Sequence, residues 1–161
     1  MITIVAKAAL AASLLVALSA SAHAAGTQRQ IQVERNGQRV MPFSQDATMH
    51  EFVPTPAGGV QTVVVHNGDP KQVLLVRSHL RKEAEAFAHG NFTDPASIHG
   101  GAMPGLQAMQ AGAKRISVGF SNVPNGAAIT YTSKEPALVS AIHTWFKAQV
   151  SDHGAHATMK M

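Results

Sequence analysis

The stretch KRISVGFSNVPNGAAITYTSKEPALVSAIHTWFKAQVSDHG, Lys114–Gly154, decides the fold. Ile116, Val118 and Phe120 alternate with small or polar residues, Pro124-Asn125-Gly126 supplies a turn, and Ile129 and Tyr131 alternate back. This is the pattern of a β-hairpin with one buried face. From Pro136 the period changes. Leu138, Ile142, Trp145, Phe146 and Gln149 recur at helical spacing, which predicts a helix over about 136–152 that stops at Gly154. A hairpin joined to an amphipathic helix buries its apolar face by laying the helix on the sheet.

The same order occurs upstream. HEFVPTPAGGVQTVVVH (His50–His66) reads as strand, Pro/Gly-rich turn and β-branched strand. Asp69-Pro70 then pairs an N-cap residue with Pro at the first helical position. Val73, Val76, Leu80, Ala84 and Phe87 share one face of a helix over about 70–89, and Gly90 ends it. Between the two halves, Asp94-Pro95 and Pro104 each start a short helical segment around the glycines of IHGGAMPGL. The expected architecture is α+β: a two-layer sandwich of an antiparallel sheet of about four strands with two long helices on one face.

Outside this domain, taken as 49–154, three segments differ in character. Residues 1–24 read as a signal peptide, with Lys7 before the apolar run Ala8–Leu18 and Ala22-His23-Ala24 as a small-x-small cleavage pattern. Residues 25–48 read as a small hairpin turning at Asn36-Gly37, or as an N-terminal arm. Residues 155–161, with His156, Met159 and Met161, read as a flexible tail. The expected location is periplasmic or secreted, with no membrane association after cleavage.

Composition excludes several classes of function. The net charge of +4 falls by one with Lys7 and is scattered, so nucleic acid is not an expected partner. Cysteine is absent. That excludes thiolate zinc sites, iron–sulfur clusters, covalently attached haem c and cysteine nucleophiles. A metal site here must use His, Met, Asp or Glu. Nine histidines, only one of them in the leader, make that option concrete. Imidazole with thioether suits copper, and imidazole with carboxylate suits zinc or nickel.

His79 and His143 border the apolar stripes of the two long helices. Each reads as an amphipathic border residue on its own, and as a ligand pair if the helices lie side by side. His99 and Met103 sit in the glycine loop, either as ligands or as a connector packed by Met103. His153 lies at a helix C-terminus, where the dipole favours a cation and so accounts for it structurally. The side to which His50 points is open. Arg77, Arg81 and Lys82 form a basic helix face that is either solvated or an anion site. No Walker loop, dinucleotide fingerprint, Gly-x-Ser-x-Gly elbow or His-Glu-x-x-His motif is present.

FVPTPAGGVQTVVV, HLRKEAEAFAHGNFTDPASIHGGAMPGL and PALVSAIHTWFKAQVSDHGAHA together resemble a family of short exported bacterial proteins that carry the label aspartate carbamoyltransferase. The resemblance covers about residues 49–157 and implies a transferase. Catalytic chains of that enzyme hold carbamoyl phosphate with a Ser-Thr-Arg-Thr type loop, and its regulatory chain binds zinc with four cysteines. This sequence has neither.

Three readings therefore stand. The first is an exported binding protein holding a transition metal, copper before zinc, through His79, His99, Met103, His143 and His153. The second is a small transferase or hydrolase with a histidine general base and Arg77 or Arg81 on an anionic substrate. The third is a structural or interaction module with its histidines on separate faces.

Overall fold

The computed structural model describes residues 28–161. The expected signal peptide, 1–24, lies outside the described residues. Both hairpins and both long helices match their expected places closely. Strands β1 (Thr48–Thr55) and β2 (Gly58–Val65) form the first hairpin, and β3 (Ser117–Val123) and β4 (Gly126–Thr132) form the second. Long helices run over Pro70–Ala88 and Pro136–His153. The first opens on Asp69, whose carboxylate accepts the amide N–H of Lys71 at 2.8 Å, satisfying one of the donors that a helix start leaves free.

The class is α+β, as expected, but the sheet has five strands, not four. Residues 157–159 of the expected tail form β5 (Ala157–Met159), which pairs in parallel with β1 through His50↔Ala157 and Phe52↔Met159. The sheet is therefore mixed, in the order β3-β4-β2-β1-β5. Lys160 extends the pairing, its amide donating to Phe52 O and its ammonium to Glu51.

The second correction is at the start. Residues 28–40 are a helix, α1, where a hairpin or arm was expected. Asn36-Gly37 makes no turn there. A Cβ on Gly37 would lie 2.6 Å from Met41 and 2.8 Å from Gln45, so the glycine answers a close approach rather than a bend. Asn36 donates to Ile98 O at 3.0 Å. Val33 is buried, and Met41 and Phe43 join the same core, so this segment belongs to the domain.

The other helices are α2 (Pro70–Ala88), α3 (Thr93–His99), α4 (Leu106–Gly112) and α5 (Pro136–His153). Both α2 and α5 lie on one face of the sheet. Phe52 packs on Phe146 (ring centroids 5.0 Å apart) and Tyr131 on both Trp145 and Phe87. Among the described residues, no helix is long and apolar enough to cross a membrane.

Helix α4 leans on α5 through a glycine. Gly105 has φ +84°, and a Cβ there would meet Ala141 O at 2.3 Å and Trp145 N at 2.8 Å. Gly105→Ala is expected to destabilise the protein by roughly 2–5 kcal/mol. That combines a left-handed backbone cost of about 1–2 kcal/mol with about 1–3 kcal/mol of overpacking. Gly100 is also left-handed (φ +86°) but has nothing within 4 Å of its would-be Cβ, so Gly100→Ala carries the backbone cost alone. Urea unfolding of the two variants measures the difference.

Candidate functional site

Between the sheet and the two long helices lies a cavity of ≈ 50 Å³. The sheet supplies its floor. His50 stands opposite Val63 across β1 and β2, and Gln61 opposite Ile129 across β2 and β4, so these side chains share a face. Helix α2 brings His79 and Glu83, α3 brings Asp94 and His99, and α5 brings Gln149 and His153. Trp145, Phe87 and Ile98 close the apolar part of the wall.

His79, Glu83 and Asp94 each offer a ligand atom, and these atoms lie within 4.8 Å of one another. His79 and Glu83 are four residues apart, which stacks them on one helix face. Asp94 was read only as a helix start. In the structure Asn91 takes the capping bond from the Thr93 amide, and the Asp94 carboxylate turns to Glu83 instead. Burial, with the hydrogen bond to Asp94, pushes the Glu83 carboxyl up to about 8. The same three residues line a solvent-open cleft with Ser78, Lys82 and Asn91, which gives an entry path from outside.

The inner wall is imidazole. Burial, with His99 and His79 nearby, brings His50 down to about 4. Burial likewise holds His153 well below its ordinary range, with His50 and His99 adding to the effect. Both rings are neutral at neutral pH. Burial lowers His79 as well.

His99 is fixed from behind. Its Nδ1 donates to Asp152 at 2.9 Å, and Arg29 of α1 grips both oxygens of that carboxylate at 2.9 and 2.6 Å. Arg29 also donates to His99 O at 2.7 Å. Burial alone would raise the Asp152 carboxyl, but the hydrogen bonds from His99 and Arg29 bring it down to about 2.

Of the residues singled out by sequence, His79, His99 and His153 reach the cavity. His143 and Met103 do not line it. The Nε2 of His143 donates to the carbonyls of Thr55 and Gly58, so this ring clamps the β1–β2 turn. Met103 is 4% exposed and packs in the core, where a thioether is a good gap filler. Arg77 donates to Gly126 O and Val123 O at the β3–β4 turn, and Arg81 lies over the Phe120 ring at 4.4 Å. Neither lines the cavity.

Sequence reasoning missed Glu83, Asp94 and His50 as site residues. His50 was within reach of it, because Phe52 two residues on is a core residue and a strand puts i and i+2 on one side. No family model matches the chain, and neither a curated protein nor a solved structure does so.

The metal-free protein has two opposed pH dependences. His50 ionises at 6.5 unfolded and about 4 folded, so stability is lost as pH falls from 6.5 through about 4. Glu83 ionises near 4.5 unfolded and about 8 folded, so stability is lost as pH rises from 4.5 through about 8. Glu83→Gln is therefore expected to be more stable than wild type at pH of about 8, with the gap closing toward about 4.5. Chelator-treated protein unfolded in urea across that range checks it. Equal stabilities at the alkaline end would contradict a desolvated Glu83.

Proposed function

We propose that this protein binds a transition-metal ion through His79, Glu83 and Asp94, in an exported compartment. The observation that carries the reading is the convergence of one imidazole and two carboxylates at ligand spacing, between an open cleft and a cavity walled by further imidazoles. Without an ion, burial first and the neighbouring Asp94 carboxylate second favour the protonated form of Glu83. A divalent cation replaces that proton and removes the repulsion.

Expectations about the metal shift with the donors. Met103 was the reason to place copper first, and it lies elsewhere. Imidazole with carboxylate suits Zn(II) and Ni(II) as well as Cu(II), so zinc now leads. Three protein ligands leave zinc an open coordination position. The backbones that carry the ligating nitrogen and oxygens need no rearrangement of the fold, since two ligands share a helix face and the third is held by the short α3. Periplasmic or secreted location remains part of the proposal, supported by the leader pattern of residues 1–24.

Titration calorimetry of the metal-free full chain with Zn(II), Ni(II) and Cu(II) tests the reading. His79→Ala, Glu83→Gln and Asp94→Asn are each expected to weaken binding by more than the about 10–100-fold that outer-shell changes cost. His143→Ala is expected to leave metal affinity unchanged while lowering thermal stability, because its imidazole holds main-chain carbonyls away from the cavity. Affinity no better than that of isolated surface histidines, or equal affinity in the Glu83 and Asp94 variants, would sink the proposal.

A further inference from the structure

The cavity has an inner half that His79, Glu83 and Asp94 do not use. There, His153 stands between two other imidazoles, its ring centroid 4.9 Å from that of His50 and 4.9 Å from that of His99. His50 is 5% exposed, and its Nδ1 has no hydrogen-bond partner. A buried polar atom left without a partner costs about 1–3 kcal/mol, so a protein retains one where a ligand completes it. The other buried side-chain atom without a partner, Nε1 of Trp145, belongs to a residue lining the same cavity. Both orphans among the described residues thus fall on one small space.

His99 is prepared differently. Asp152 accepts from its Nδ1, so Nε2 is the ring nitrogen not engaged by that carboxylate. A carboxylate behind the far nitrogen is how metal-ligating histidines are oriented and made more basic. Arg29 keeps Asp152 ionised and in place. The Arg29–Asp152–His99 chain ties three helices together and also fixes the orientation that a ligating His99 needs.

We propose that His50, His99 and His153, whose nitrogens do not stand at the mutual spacing of His79, Glu83 and Asp94, turn inward about His153 to form a second metal subsite, which takes a further ion of borderline softness, Zn(II) or Cu(II), beside the ion held by His79, Glu83 and Asp94. The inner subsite rests on the metal-binding reading of the cavity. Three imidazoles are a known zinc donor set with an open fourth position, and imidazole also suits copper. Space agrees. A cavity of ≈ 50 Å³ compares with about 10–15 Å³ for each water-sized occupant, which accommodates two ions and a shared water and excludes a bulky organic ligand. Glu83 and Asp94 offset the outer ion, while Asp152, shared with Arg29, backs the inner one through His99 without adding net charge.

The test is stoichiometric. Full-chain protein is stripped of metal and dialysed against Zn(II), and in parallel against Cu(II), and bound metal is counted by mass spectrometry. Two equivalents are expected in wild type, and one in each of His50→Gln, His153→Gln and Glu83→Gln. Asp152→Asn keeps every ligand and is expected to weaken the second equivalent alone by about 10–100-fold, with circular dichroism reporting the fold. Should a histidine variant fail to fold, the Asp152→Asn titration decides, and an unchanged second equivalent overturns the inner subsite. A single equivalent in wild type, or two retained in His50→Gln and His153→Gln, overturns it while leaving the outer site intact. No bound metal in any protein removes both sites together.

Discussion

One carboxylate joins three segments that are far apart in the chain. Asp152, near the end of α5, receives His99 from α3 and both guanidinium donors of Arg29 from α1. With side-chain exposures of 46% for Arg29 and 11% for Asp152, solvent screens one partner but hardly the other. Removing Arg29 or His99 would leave a largely buried charge short of partners, which costs far more than an exposed pair contributes. Asn36 on the same helix adds a bond to Ile98 O, so α1 holds the end of α3 at two points. The position of Asp94, at the start of α3, follows from that attachment and from the stacking of Phe92 on Phe87.

The cavity is costly to build. A well-packed apolar filling would be more stable than neutral imidazoles, a protonated Glu83 and an orphaned His50 nitrogen. The surrounding core meets that cost with large rings. Trp145, Tyr131, Phe52, Phe92 and Phe146 are all essentially inaccessible and meet edge to face or tilted.

Elements with strong local signals were legible in the sequence, and those set by distant partners were not. Both hairpins and both long helices follow from alternation, helical periodicity, Asp69-Pro70 and Gly90. Helix α1 was misread because Asn36-Gly37 is a turn pair by local chemistry, while Met41 and Gln45 demand the glycine through packing. β5 was misread because three residues carry no periodicity; only the edge of β1 gives them a partner. In the site, imidazoles drew notice by their number, which singled out His79, His99 and His153, at the cavity, but also His143, which is not; the thioether of Met103 drew notice through its glycine loop and lies in the core. Asp94 was hidden by a second plausible role at a helix start. The spacing of His79 and Glu83 was visible, but its meaning depended on a third group whose place only the tertiary fold sets.

The parallel pairing of β5 with β1 has a kinetic side. Lys160 and Glu51 are 109 residues apart and Arg29 and Asp152 are 123 apart, yet both pairs close the same end of the molecule. Loop closure on that scale must precede any return from the contacts it brings. Until α5 has docked, β1 has an open edge with Phe52 beside it, a template for pairing with another chain. Slow assembly and a vulnerable intermediate are thus built into the connectivity. The step that finally covers the edge is also the one that seats His153 and Asp152 at the cavity.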